Sequence, residues 1–441
     1  MDVSLIVLLV FVALIVLLLI EVPVAFSLAA SGAFGLILLR GTSVAGATLG
    51  SVPFQSSSSF TLIVVPMFIL MGIFAMHGNI ADDLFRLTNR LMRGVRGGVA
   101  VATVVTCAGF AAVCGSSVAT AATVGRLTIG EMIRYGFNPA FAAAIVASAG
   151  TLGVLIPPSI ALVLFGVITN ESIGRLLIAG IVPGILSAIV MGVGILVCAR
   201  LGIGFDRKTA VPVEETDTGH GSRHGGVFKL LLLFVIIVGG IYSGLITATE
   251  AAAIGAFAAF LIMLVSAMWS GTGVVSRLFA SLRDSASITS MVFAIIVGAS
   301  IFSYFIVSAG VPNAFAEWIL GIDLPPRLLV LLLLLSLIPL GMFLDGVSIL
   351  LITVPLYYPV VVTGLGYDGL WYAVLTVKMI ELGLITPPVG VNVFIVANMA
   401  KGAELEKVFR SITTFIVLDL IIFAILFAFP VLVTWLPASV R

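Results

Sequence analysis

Three charged residues stand deep inside apolar stretches, and their neighbours decide what chemistry they can do. Asp345 occupies the turn of GMFLDGVS, residues 341–348. An unpaired carboxylate at membrane depth costs at least ~2.5–3.5 kcal/mol, so such a group marks an ion pathway. Capping the helix that follows is the compatible structural role. Lys378 and Glu381 lie three residues apart on the segment entering ELGLITPP, so they share a helix face. Either they neutralise each other as an internal ion pair, or Glu381 serves as a proton or Na⁺ ligand.

The backbone beside these charges is interrupted twice in the same way. TLGVLIPP at 151–158 has a counterpart in ELGLITPP at 381–388. Proline lacks an amide donor and disfavours helix in the residue before it, so Pro157–Pro158 and Pro387–Pro388 each break a span. Freed carbonyls, together with Thr151, could coordinate a dehydrated Na⁺, and the half-helix beyond would point its positive end at an anion. A simple kink explains one such break but not two at matched positions. Paired Gly- and Pro-broken segments are the sequence mark of a secondary transporter's binding site. Thr386 and Asn392 flank the second break and are candidate polar ligands. CGSSVATAATVG at 114–125 reads as a hairpin tip, with Ser116, Ser117 and Thr120 offering hydroxyls. Helix packing is the competing use of such small residues.

The elements that must position these groups are transmembrane helices. Of 441 residues 61% are hydrophobic and 9% charged, and the mean hydropathy is +1.30. Soluble domains carry about 25% charged residues, so this is an all-α polytopic membrane protein. The net charge of +1 gives no sign of nucleic-acid binding. Three cysteines in apolar stretches and three histidines, two of them in a polar linker, fit neither a disulfide framework nor a transition-metal site. There is no Walker lysine loop to couple ATP, and no membrane histidine stands near the hydroxyls to make a serine hydrolase. A channel suits paired broken helices less well than alternating access does. The first apolar run lacks a basic leader and cleavage site, so it reads as a retained span.

A charged, Gly-rich linker at 206–227 divides two hydrophobic halves, 1–205 and 228–441. In the first half, crossings are expected at 4–20, 22–39, 60–76, 138–169 (broken) and 174–199, with a re-entrant hairpin over 98–133. In the second, they are expected at 228–246, 251–269, 290–309, 371–399 (broken) and 411–436, with a hairpin over 327–361. Hairpin limbs shorter than the ~20 residues of a full span favour re-entry. Five crossings per half, about ten in all, make the halves inverted repeats. Placing both termini in the periplasm and the linker in the cytoplasm puts most of the 21 Lys and Arg residues inside. The short loops fit a bacterial inner-membrane protein.

The motifs GSSVATAATVG, ASAGTLGVLIPPS, GASIFSYFIVSAGVPNAFAEWI, GMFLDGVSILLITVPLYYP and ELGLITPPVGVNVF resemble the large, DctM-like membrane subunit of TRAP transporters, over essentially the whole chain. The resemblance implies an ion-transporter fold in which a mobile domain carrying both hairpins and both broken helices moves as an elevator, driven by the Na⁺ gradient. Carried over by motif, one Na⁺ site involves Ser116, Ser117, Gly150, Thr151 and Gly153, and a second Asp345, Ser348, Gly383 and Thr386. Thr120, Pro157, Pro158, Glu381, Pro387, Pro388 and Asn392 are candidates for the substrate pocket. The implied partners are a small four-helix membrane subunit, expected as a separate polypeptide because no extra N-terminal helices are present, and a periplasmic substrate-binding protein. The Leu-rich face from Leu5 to Ile20 is a candidate seat for that subunit, with membrane lipids around the rest. No cofactor is implied beyond Na⁺ as coupling ion. Cargo would be a small organic anion such as a C4-dicarboxylate, a sugar acid or sialic acid. The alternatives are a stand-alone Na⁺/anion symporter of the same fold and, from another class, an intramembrane hydrolase.

Overall fold

Helix follows helix from Val3 to Ala438 in the computed structural model, which describes residues 2–205, 225–269 and 273–439. The linker centred on 206–224, with Arg207, Lys208 and Arg223, and the terminal Arg441 lie outside the described residues. Within them the only β contact is an isolated bridge between Phe137 and Phe205. Lipid imposes this economy, because a helix satisfies its own amides and carbonyls without water.

Helices α1 (Val3–Leu19) and α2 (Val24–Arg40) pack as neighbours across a turn at Glu21, whose φ is 63°. Then comes α3 (Thr42–Ser57), an element the sequence reading leaves unassigned. Its Gly, Ser and Pro residues have weak helix propensity and little apolar periodicity, and packing on α2 and a later long helix overrides that. A 3₁₀ turn leads into α4 (Val64–His77). The amphipathic α5 (Ile80–Leu91) buries Ile80, Leu84, Phe85 and Thr88 and places Asp82 and Asp83 at its positive end. Next, α6 (Gly98–Cys114) and α7 (Ser117–Arg134) pack together across a two-residue turn. The following stretch is broken into α8 (Pro139–Gly150), α9 (Leu152–Leu155) and α10 (Ile160–Thr169), bent by 41°. Helices α11 (Ile173–Ala179) and α12 (Ile181–Leu201) follow.

Beyond the linker, α13 (Gly225–Phe234) continues through a π-helical turn into α14 (Gly240–Tyr242), and α15 (Ala248–Trp269) packs on α4. Helix α16 (Val274–Ser308) has 35 residues, beginning well before the 290 expected for this crossing. Arg277, Arg283 and Asp284 in its first turns hide the helix from a hydropathy reading. The chain then forms α17 (Val311–Leu320), α18 (Pro326–Leu335) and α19 (Leu337–Gly341), turns at Asp345, and enters α20 (Gly346–Tyr358). Helix α21 (Gly369–Ile385) is buried along every residue, Lys378 and Glu381 included. Helices α22 (Val391–Ala397), α23 (Leu405–Ala428) and α24 (Val431–Ala438) complete the fold.

Among the described residues six helices are long and apolar enough to cross a membrane, seven if the bent pair α8–α10 counts as one span, and five further apolar helices are shorter. Two apolar cores result. The smaller joins Ile6, Val10 and Leu14 to Leu28, Leu36, Phe302 and Phe305. A Cβ on Gly32 would lie 2.7 Å from Phe302 Cα, so α2 and α16 touch backbone to backbone. The larger core surrounds the helix pairs and the broken spans. Outward faces stay apolar: Leu8, Ile189 and Phe257 are more than half exposed, as lipid contact permits.

Candidate functional site

The α6–α7 turn is seated directly on the first break. Gly115 adopts φ 66°, and a Cβ there would come within 2.6 Å of the Pro158 carbonyl oxygen. A Cβ on Gly150 would stand 2.7 Å from Ala121 Cβ, and one on Gly153 2.6 Å from the Ser116 carbonyl oxygen and 2.7 Å from Thr120 Oγ1. The bare backbone at these glycines is what lets the tip approach. Ser116 caps α7 by accepting from the Ala119 amide at 3.4 Å, and Ser159 caps α10 by accepting from Leu162 at 3.2 Å. The peptide between Pro157 and Pro158 is cis. Thr151 Oγ1 donates to the Ser148 carbonyl at 2.7 Å, at the junction of α8 and α9.

The second tip repeats the arrangement with different residues. Asp345 caps α20, accepting from the amides of Val347 and Ser348 at 3.1 Å each and from the Ser348 hydroxyl. Gly341 and Gly383 back onto one another: a Cβ on either would lie 2.7–2.8 Å from the other's Cα. Beyond Ile385 the chain leaves helix through a cis Pro387–Pro388 bond and re-enters it after Gly390, at φ 61°. Thr386 Oγ1 donates back to the Leu382 carbonyl at 2.5 Å.

The two constructions meet at one hydrogen bond and one cavity. Ser117 Oγ on the first tip donates to Glu381 Oε1 on α21 at 3.2 Å. Around this contact lies a cavity of about 290 Å³, near the lower end of small-ligand pockets. Its wall comprises the first tip (114–119), the second tip (345–347), both broken spans (Val154, Ile160, Ala161, Glu381, Leu384, Val391), α4 (Ile69, Gly72, Ile73) and α16 (Ile288, Met291, Val292). Polar side chains on the wall come from Ser116, Ser117, Asp345 and Glu381; among the described residues no Lys, Arg or His lines it.

The sequence candidates thus separate into groups. Ser116, Ser117, Asp345 and Glu381 line the cavity, while Thr120, Gly150, Thr151, Gly153, Ser348 and Gly383 are buried around the tips behind it. Pro157, Pro158, Thr386, Pro387, Pro388 and Asn392 do not line it. The two double prolines differ: Pro157 and Pro158 are buried, whereas Pro387 and Pro388 are exposed. Asn392 is fully buried, and among the described residues neither its Oδ1 nor its Nδ2 has a hydrogen-bond partner.

One expectation is corrected. Lys378 does not pair with Glu381; its Nζ donates to Asp419 on α23. Positions three apart on a helix diverge by about 60° around the axis. Glu381 therefore turns to the tip while Lys378 turns to α23. Asp419 escapes the sequence reading, although a lone carboxylate within FIVLDLIIFAIL carries the same membrane-depth signal as Asp345. The α4 and α16 contributions to the wall are apolar and leave no chemical trace in sequence.

Comparison with known proteins agrees with this architecture. The family profile "Tripartite ATP-independent periplasmic transporter, DctM component" matches residues 11–432. The C4-dicarboxylate TRAP transporter large permease protein DctM of Pseudomonas aeruginosa is 36% identical over 413 residues, 93% of this chain and 92% of that protein. The isethionate TRAP transporter permease protein DctMQ of Oleidesulfovibrio alaskensis is 32% identical over 96% of this chain and 64% of its own length. Among solved structures, the YdaH transporter of Alcanivorax borkumensis has a similar fold, with a TM-score of 0.64, 15% identity and 90% of each chain covered.

Proposed function

Because the chain belongs to the DctM family of tripartite ATP-independent periplasmic transporters, we propose that it is the large membrane subunit of a Na⁺-coupled importer of small organic anions. Cargo would arrive on a periplasmic substrate-binding protein, with a separate small four-helix subunit beside this one in the bacterial inner membrane. The C4-dicarboxylate and isethionate in the names of two relatives supply the cargo class, small anions. The observation that carries the reading is the convergence of two hairpin tips and two proline-broken spans on one cavity. Interrupted helices place free backbone groups at a site shielded from lipid, which is where a transporter binds ions and substrate.

In this reading Ser116, Ser117, Gly150, Thr151 and Gly153 hold one Na⁺ through carbonyl and hydroxyl oxygens. Asp345, Ser348, Gly383 and Thr386 hold another. The halves are inverted repeats, and the unit bearing the tips moves against the remaining helices in an elevator stroke. Both termini face the periplasm and the linker faces the cytoplasm. The chemistry is displacement of solutes rather than bond cleavage, as membership of a transporter permease family supports.

Uptake into proteoliposomes tests the proposal. Vesicles containing this chain and its small subunit should accumulate labelled dicarboxylate only with an inward Na⁺ gradient and a loaded binding protein outside. Uptake without the binding protein would establish the stand-alone symporter instead. Uptake undiminished when choline replaces Na⁺ would overturn the coupling.

A further inference from the structure

Five arginines gather where α5 turns into α6 and where α12 ends. Arg86 and Arg90 stand on the outward side of α5, opposite its buried Ile80, Leu84 and Thr88, and Arg93 and Arg96 follow in the turn that leads to Gly98. Gly97, at φ 84°, sets this turn against α12: a Cβ on it would lie 2.7 Å from Ala199 Cβ. Arg200, the next residue, therefore belongs to the same edge of the fold. All five arginines are exposed, and among the described residues none has a salt bridge. Asp82, one turn before Arg86, offsets part of its charge, while Asp83 is taken by Lys229.

Apolar side chains stand open beside these charges: Leu91 is 68% and Leu201 69% exposed. From Leu201 an oblique row runs back along α12 through Val197, Val193 and Ile189, all exposed. Twelve residues of helix rise about 18 Å, against about 15 Å of hydrocarbon in one leaflet. Helix α12 belongs to a span long and apolar enough to cross a membrane, so the row faces lipid tails and the arginines stand at its end. A row of this length capped by fixed positive charge has the proportions of a single lipid molecule.

We propose that this edge binds an anionic phospholipid, its phosphate held by the arginines of the α5–α6 turn and Arg200, its acyl chains laid along α12. Guanidinium forks match phosphate oxygens in pairs, and clustered basic residues beside a span attract anionic headgroups. Helix α17, which follows the long α16 as α5 follows α4, carries no Lys or Arg, so the second half repeats the element without its charge. The proposal requires only that the chain span a membrane and is independent of cargo and of ion coupling.

The full-length protein, stripped of co-purified lipid in detergent, is titrated with dioleoylphosphatidylglycerol or dioleoylphosphatidylcholine, and Tm is followed. Phosphatidylglycerol should raise Tm at a half-saturating concentration about tenfold or more below that of phosphatidylcholine, and high salt should narrow the gap. Combining Arg93→Gln, Arg96→Gln and Arg200→Gln should erase most of the preference, whereas lysine at the same three positions should keep it. Combining Lys401→Gln, Lys407→Gln and Arg410→Gln removes equal charge from another exposed group and should also leave it intact. A wild type that responds equally to the two lipids overturns the site. Equal loss in both glutamine variants overturns it too, because bulk charge then explains the attraction. Glycerol 3-phosphate as potent as phosphatidylglycerol would leave the apolar row without a role and overturn the lipid as ligand. Should the Arg93, Arg96 and Arg200 glutamine variant fail to fold, Arg200→Gln alone should lower the preference, and a preference identical to the wild type refutes the proposal.

Discussion

Lys378 and Asp419, on α21 and α23, form an ion pair in which each side chain is 1% exposed. Asp419 Oδ2 has no further partner among the described residues, so the pair is held by a single contact inside apolar packing. Removing one member leaves a buried charge alone, at a cost of about 3–5 kcal/mol, whereas replacing both by apolar residues is often neutral. Lys378→Met and Asp419→Leu should each lower Tm sharply in detergent, and the double variant should recover most of the loss. A double variant as unstable as the worse single one would show that the pair has further partners.

Gly153 and Gly383 are tested by a single methyl. In Gly153→Ala the new Cβ meets a carbonyl and a hydroxyl at 2.6–2.7 Å, and in Gly383→Ala it meets the Gly341 backbone at 2.7 Å. Neither neighbour is the end of a flexible side chain, so overpacking should cost about 1–3 kcal/mol. Because Gly153, its neighbour Ser116 and Gly383 belong to the proposed ion sites, uptake should fall much further than protein abundance. Uptake reduced only in proportion to abundance would confine these glycines to packing.

Asp345 is an observed helix cap and a proposed ion ligand, and the two roles are separable. As a cap, its loss costs about 0.5–2 kcal/mol and asparagine replaces it well. As an ion ligand, the carboxylate charge matters. Asp345→Ala and Asp345→Asn should both abolish Na⁺-driven uptake, with the asparagine variant retaining near wild-type Tm. Full uptake by Asp345→Asn would reduce the residue to a cap.

Topology can be read from accessibility, since Cys107, Cys114 and Cys198 are all buried and give little background. Arg134 and Arg175 are exposed at the ends of α7 and within α11. A membrane-impermeant maleimide should label Arg175→Cys in intact spheroplasts and Arg134→Cys only after the membrane is opened. The reverse pattern would invert the proposed orientation.

Legibility followed signal strength. Apolar runs bounded by Glu21, the linker and the double prolines can be read by eye, and α2 at Val24–Arg40 lies where a crossing is expected at 22–39. Helix α3 has no such contrast, because serine, glycine and threonine look alike in a loop and in a helix pressed against larger neighbours. The tips show themselves through polar residues in apolar surroundings, and that same rule would have reached Asp419. What no one-dimensional pattern reveals is which way each charge faces. Lys378 and Glu381 are three apart, yet one is oriented by α23 and the other by Ser117. The exposure of Pro387–Pro388 beside the burial of Pro157–Pro158 is likewise set by what packs around them, since the two motifs read alike.

Helix α16 spans 35 residues without a break, roughly 52 Å at 1.5 Å per residue, against a hydrocarbon layer about 30 Å thick. Near its start Arg277 grips the His77 carbonyl at 3.0 Å; midway Ile288, Met291 and Val292 form one side of the chamber; further on Phe302 and Phe305 lie against α2. A helix that exceeds the layer by roughly 20 Å must tilt steeply or stand clear of the lipid at one end, and Arg277, Arg283 and Asp284 mark the end that does.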